Sequence, residues 1–143
     1  MNVGHRLFED WTAMWNGELS LADRILAPGF RVWFGNTLGG ADTDACRGPG
    51  FVRFVAAHRE ARPGIRYVLE GDPIGGVEAG PAGGTDSGGT GRVACRWYAT
   101  RPGATTVSGI DILAFSDGRI EQAWSLSGDR AFATVELRES VTP

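Results

Sequence analysis

The chain has 143 residues, 42% of them hydrophobic and 22% charged, with a formal net charge of −3. Those values match an ordinary globular domain with one core. All 14 basic residues are arginines, and they are scattered rather than blocked, which argues against a nucleic-acid surface. No apolar run nears the roughly 20 residues of a membrane helix. The opening MNVGHRLFEDW lacks a charged segment followed by an apolar one, so no signal peptide is expected. Cys46 and Cys95 form neither a metal-ligand nor a C-x-x-C pattern, and they read as free thiols in a cytoplasmic protein.

Leu7, Phe8, Trp11, Met14 and Trp15 recur at helical spacing, so a first amphipathic helix is predicted to end near Asn16-Gly17. Ser20 reads as the N-cap of a short helix over Leu21 to Leu26, broken by Pro28-Gly29. FRVWFG follows as a strand, with Phe30, Val32 and Phe34 on one face and Arg31 and Trp33 on the other. A Gly-rich connection then leads to Phe51, Phe54, Val55 and His58, whose spacing predicts a third helix to about Ala61. Ile65 to Gly71 alternates as a strand. The stretch 73–91 is so rich in glycine that a flexible loop is expected. It lacks the lysine of a phosphate-binding loop and opens no helix.

Three strands are predicted to close the chain, over about 92–100, 105–115 and 119–126, with a short element in the tail from Arg130. Clustered helices followed by clustered strands favour α+β over alternating α/β. The whole chain, 1–143, reads as a single domain.

Asp117-Gly118 is a strong two-residue hairpin signal. A strict turn there pairs Ser116 with Arg119 and places Asp111 opposite Trp124. One face would then carry Asp111, Leu113, Phe115, Ile120, Gln122 and Trp124. The other would carry Ile110, Ile112, Ala114, Glu121, Ala123 and Ser125. Asp111 is thereby set among apolar neighbours. That setting disfavours the charged form and raises a carboxyl pKa, which suits proton transfer near neutral pH. A structural role, accepting hydrogen bonds that fix the packing, is the alternative. The turn at Arg101-Pro102-Gly103-Ala104 leaves the register of the preceding strand open. Either Tyr98 or, after a one-residue slip, Trp97 with Cys95 shares the face of Asp111.

His58 lies on the apolar side of the third helix and is a candidate proton relay to Asp111, or else a satisfied core histidine. Trp15, Trp33 and Trp124, with Trp97 or Tyr98, are candidate walls for an apolar ligand. Leu113 and Gln122 complete that candidate set, Gln122 as a polar contact. Arg96 is either an anion contact or a surface arginine.

GRVACRWYAT followed by SGIDILAFSDGRIEQAWSLSGD resembles the SnoaL-like polyketide cyclases of the nuclear transport factor 2-like superfamily. The distinctive part runs from the arginine-tryptophan strand through glycine-x-aspartate to aspartate-glycine-basic-isoleucine and tryptophan. The resemblance implies a cone-shaped curved antiparallel sheet wrapped around N-terminal helices, with a deep pocket and dimerisation through the sheet. It implies an aspartate general acid/base, matched here by Asp111, acting without metal or organic cofactor on an apolar polycyclic or polyketide-type substrate. Here the segment before the aspartate strand is shortened to RPGATTV, without the histidine the cyclases often carry. The superfamily also holds isomerases, dehydratases, hydroxylases and non-catalytic binding domains. Two readings follow: a cofactor-independent cyclase- or isomerase-like enzyme, or a binding and dimerising module with the same fold.

Overall fold

The structure, a computed structural model, describes residues 2–35, 43–79 and 89–136. Helix α1 runs from Val3 to Trp15 and buries Leu7, Phe8, Trp11, Met14 and Trp15. It starts earlier than the apolar periodicity because Asn2 caps it, its side chain accepting the His5 N–H at 2.9 Å. A 3-10 turn at Leu19–Leu21 then leads into α2, Ala22–Ile25. The expected Ser20 cap does not form: Leu21 holds the cap position, with no side-chain cap bond.

Strand β1, Leu26–Phe34, begins without the break expected at Pro28-Gly29. A shift in pairing between Leu26 and Arg31 absorbs the proline. The strand lies at the sheet edge, where a missing N–H is tolerated. Helix α3, Gly48–Glu60, has proline in its first turn, where no intrahelical donor is needed.

Strands β2 (Arg66–Ala79), β3 (Thr90–Thr100), β4 (Val107–Ser116) and β5 (Arg119–Ser127) form an antiparallel meander. The order is β1-β5-β4-β3-β2, with β1 parallel to β5. The sheet is curved and does not close. The α+β class expected from the sequence is the architecture observed.

The glycine-rich stretch expected to be a loop is partly strand. Residues 73–79 extend β2, Thr90 and Gly91 begin β3, and 80–88 lie outside the described residues. Poor burial capacity was the basis for the loop, but backbone pairing needs no side chain. At Gly75, φ is 101°, and an added Cβ would overlap the Arg92 carbonyl of β3. Glycine there lets β2 stay close against its neighbour, while the register shifts lie on either side, between Glu70 and Ile74 and between Val77 and Ala79. After β5, a short helical turn covers 133–136 and buries Val135. The Phe132 N–H donates to Ser108 Oγ at 2.9 Å, tying this segment to β4.

The inner face of the sheet packs on α1 and α3. Trp11 stacks on Phe51 with centroids 5.5 Å apart, and both are almost wholly buried. Val93, Cys95, Leu113, Phe115, Ile120 and Ala123 supply the sheet side of this core. The outer face leaves Trp33, Ile110, Ile112, Trp124 and Leu126 exposed.

The β4–β5 register corrects the strict hairpin. Asp117 and Gly118 both have positive φ, and Ser116 pairs with Arg119 as expected. The register then shifts: Phe115 pairs with Ile120 but Ala114 pairs with Gln122, leaving Glu121 as the extra residue of a bulge. Asp111 therefore pairs with Ser125, and Trp124 pairs with Ile112. The bulge puts Ile120 and Ala123, three residues apart, both into the core. Gln122 and Trp124 consequently move to the outer face, away from Asp111.

Candidate active site

Asp111 sits mid-strand in β4, between Cys95 of β3 and Ser125 of β5. Ser125 in turn pairs with Phe34 of β1. This pairing settles the open register of β3: Trp97 points inward with Cys95, and Tyr98 lies on the other face, opposite Ser108.

The carboxylate is buried, with 5% of the residue exposed. Trp11 Nε1–H of α1 donates to Oδ2 at 2.9 Å, and Trp97 Nε1–H of β3 donates to Oδ1 at 3.0 Å. Ser125, its cross-strand partner, lines the same cavity and favours the ionised form. Burial pushes the Asp111 carboxyl above its ordinary range, and the Trp11, Ser125 and Trp97 donors pull against that. An indole N–H can only donate, so these contacts suit the ionised form while the apolar surroundings disfavour it.

The Trp97 contact depends on the glycine two residues before Asp111. A Cβ at Gly109 would overlap the Trp97 ring. The bare backbone there lets the indole lie across β4 and reach the carboxylate. The glycine-x-aspartate spacing thus has a packing reason.

Asp111 opens onto a cavity lined also by Phe8, Trp11, Trp15, Tyr67 and Trp97. Its interior offers about 30 Å³ to the centre of a water molecule, and its whole void, open mouth included, is about 440 Å³. The first figure corresponds to on the order of two waters.

His58 does not line this cavity. It reaches it through Tyr67, whose hydroxyl lies 2.7 Å from His58 Nε2. Burial, with help from Arg62, Arg59 and Arg101, lowers the His58 pKa to about 4, so the ring is neutral at pH 7. Burial also pushes the Tyr67 phenol well above its ordinary range. Asn16, just after α1, clamps the Tyr67 backbone with both ends of its amide: Oδ1 accepts from Tyr67 N at 2.7 Å and Nδ2 donates to Tyr67 O at 2.9 Å.

The remaining candidates separate by face. Trp15 and Trp97 line the cavity. Leu113 points inward but is sealed in the core at 0% exposure. Trp33, Gln122 and Trp124 are together on the outer face, where Trp33 Nε1–H donates to Gln122 Oε1 at 3.0 Å and Trp33 pairs with Trp124 across the strands. Arg31 stacks on Trp33, 3.6 Å from the ring centroid. Arg96 lies 3.7 Å from Oε1 of the buried Glu70, on neighbouring β2.

Trp11, Tyr67 and Ser125 complete the site without having been singled out for it. Trp11 precedes Trp15 by one helical turn and shares its face, and Tyr67 has inward parity in β2, so both signals were present in the sequence. Ser125 was hidden by the bulge, for which the adjacent polar pair Glu121-Gln122 was the only local hint.

The curved open sheet over an N-terminal helix, with a pocket between them, is the fold of the SnoaL-like, nuclear transport factor 2-like superfamily. No protein-family model matches the chain, and no curated protein sequence does. Solved structures do. A proposed polyketide cyclase from Bacillus cereus superposes with a TM-score of 0.62 at 20% identity, over 96% of this chain and 80% of that one. IdmH, a proposed polyketide cyclase from Streptomyces antibioticus, gives 0.62 at 17% identity, over 95% and 97%. A proposed ketosteroid isomerase from Kribbella flavida gives 0.61 at 14% identity, over 88% and 78%. At these identities the likeness establishes the fold. No helix among the described residues is long and apolar enough to cross a membrane.

Proposed function

We propose that this chain is a cofactor-independent enzyme that moves a proton at a carbon next to a carbonyl, with Asp111 as the general acid/base. One observation carries the reading: a buried carboxylate lines a cavity, and its hydrogen-bond partners are all neutral. A carboxylate held only for stability is ordinarily paired with a cation when buried. Without one, burial raises its pKa, which makes the carboxylate a stronger base toward an α-proton. Trp11 and Trp97 hold the group in one orientation. Tyr67, backed by neutral His58, is a positioning pair on the same wall.

The small interior admits the reacting end of a substrate, and the rest lies in the mouth. An apolar cyclic or polyketide-type carbonyl compound suits walls made largely of aromatic rings. Cyclase and isomerase chemistry share this first step, and the neighbours' names include both classes. The exposed outer face, with Trp124, Ile112 and Leu126, supports a homodimer through the sheet.

The test is α-proton exchange in D2O, read by NMR on a panel of cyclic ketones and β-keto esters. Asp111→Asn, with its fold checked by near-UV circular dichroism, is expected to lose about a hundredfold or more. A folded variant that keeps the wild-type rate removes Asp111 from the chemistry.

A second reading is favoured by the same hydrogen bonds. Both carboxylate oxygens already accept an indole N–H, so Asp111 also works as a cross-link tying α1 and β3 to β4. A binding module is then the function, and Asp111→Asn would cost stability while ligand affinity survived.

A further inference from the structure

A cluster of positive charge lies beside the cavity, and the chemistry of Asp111 makes no use of it. Arg59 is in the last turn of α3, Arg62 follows in the turn to β2, and Arg101 follows β3. The two turns touch: a Cβ at Gly64 would lie 2.9 Å from Pro102 Cδ. All three arginines lower the tendency of His58 to take a charge. Arg62, Arg59 and Asp111 all act on the Tyr67 phenol of the cavity wall. Tyr67 is thus in electrostatic reach of both the carboxylate and the guanidiniums.

No described acid answers this charge. Segments 61–69 and 97–110 contain no aspartate or glutamate. Glu70, the next acid along β2, is paired with Arg96. Among the described residues, Arg59, Arg62 and Arg101 form no ion pair. Backbone carbonyls hold two of them in place. Arg59 Nη1 donates to Trp15 O at 2.9 Å and Ile65 O at 3.1 Å, and Arg62 Nη1 donates to His58 O at 3.3 Å. Each of these two guanidiniums is anchored by one nitrogen. The other nitrogens are not buried orphans, so solvent reaches them. Anchored guanidiniums with spare, directed N–H groups suit a carboxylate, which accepts two at once.

We propose that Arg62 and Arg101, with Arg59, dock a carboxylate on the ligand whose carbonyl end enters the cavity. The substrate class is then an apolar cyclic carbonyl compound with an acidic side chain. The anion site stands by itself; its link to a carbonyl substrate rests on the acid/base reading of Asp111. The cavity interior is small, about 30 Å³ to the centre of a water molecule, so it grips little of a substrate. A charged contact outside it supplies binding and fixes which carbon faces Asp111.

The experiment uses the full chain and a series of 2-oxocyclohexyl alkanoic acids of increasing side-chain length, each beside its methyl ester. Hexanoate, which has no ring, is the control. Affinity is read from indole fluorescence, and the arginines from their Nε–H resonances. At one chain length the acid is expected to bind about tenfold tighter than its ester, with shifts at Arg62 and Arg101. That preference should shrink as NaCl rises from about 0.05 M to about 0.5 M. Arg62→Gln/Arg101→Gln, its fold checked by near-UV circular dichroism, should abolish it while ester affinity stays within about twofold. Arg101→Gln alone, at an exposed turn position, should weaken it severalfold and decides the matter if the double variant does not fold. No preference for the acid at any length, or a preference unaltered in the variants, overturns the proposal. So does hexanoate shifting these arginines as strongly as the keto acids, because the anion site would then be unconnected to the cavity. Asp111 is judged separately, by α-proton exchange in the uncharged esters. Exchange that is lost in Asp111→Asn, with no acid preference in the wild type, sinks the anion site and leaves the acid/base reading standing. Acid preference with exchange unchanged in Asp111→Asn does the reverse.

Discussion

Gly109→Ala is the sharpest probe of how the site is assembled. Gly109 has no positive φ, so its backbone accepts alanine without strain, but the new methyl would overlap the Trp97 ring. The indole must move, which costs about 1–3 kcal/mol of overpacking. Moving it breaks the 3.0 Å bond to Asp111, and losing a hydrogen bond to a charged group costs about 1.5–3 kcal/mol. Reduced freedom of the unfolded chain returns about 0.4–1 kcal/mol. The net expectation is a loss of about 2–5 kcal/mol, a large share of the roughly 5–15 kcal/mol of a typical domain. Urea denaturation measures it. The double variant Gly109→Ala/Trp97→Val gives the decisive comparison, because once the ring is gone the methyl has room. The two changes should fall short of additivity by at least about 1 kcal/mol. The Asp111 carboxyl, observed by 13C NMR, should titrate higher still in Gly109→Ala, having lost a donor that favours its ionised form. A variant within about 0.5 kcal/mol of wild type, or strict additivity, refutes the account of the glycine.

The His58 pKa is lowered from 6.5 to about 4, so between those values the unfolded chain binds a proton that the folded chain refuses. Its contribution to stability is therefore present above pH 6.5 and is lost as pH falls toward 4. Asp111, raised by burial, has the opposite sign: its contribution is present below the ordinary aspartate pKa and is lost as pH rises through its folded value. His58→Gln, which keeps a hydrogen-bonding group for Tyr67, should flatten the decline between pH 6.5 and 4 in urea midpoints; an unchanged slope rejects the assignment. On the outer face, Ile112→Glu is expected to convert a homodimer to monomer in analytical ultracentrifugation without altering the fold by near-UV circular dichroism. A wild-type chain that sediments as a monomer at all concentrations rejects the dimer.

Much of the architecture was legible before any coordinates. The helical spacing of Leu7 to Trp15, the alternation in the strands, and the Asp117-Gly118 turn are local signals, and each formed the expected element. An aspartate inside the apolar run of β4 was enough to single out the carboxylate that the structure buries beside a cavity. His58 and Tyr67 had the right parity to face inward from neighbouring elements. What a local pattern cannot carry is a count across a bulge. One extra residue at Glu121 exchanged the faces of everything after it, sending Trp124 and Gln122 outward and bringing Ser125 to Asp111. The same limit left Trp97 and Tyr98 undecided.

The sequence by itself determined the fold class, the elements and the acid at the centre, because periodicity and turn chemistry act over a few residues. Only the tertiary structure decided which indoles meet that acid. Trp11 is 100 residues from Asp111 in the chain and Trp97 is 14. Their meeting depends on sheet curvature, one bulge and the bare backbone at Gly109, which bring distant residues within hydrogen-bond reach.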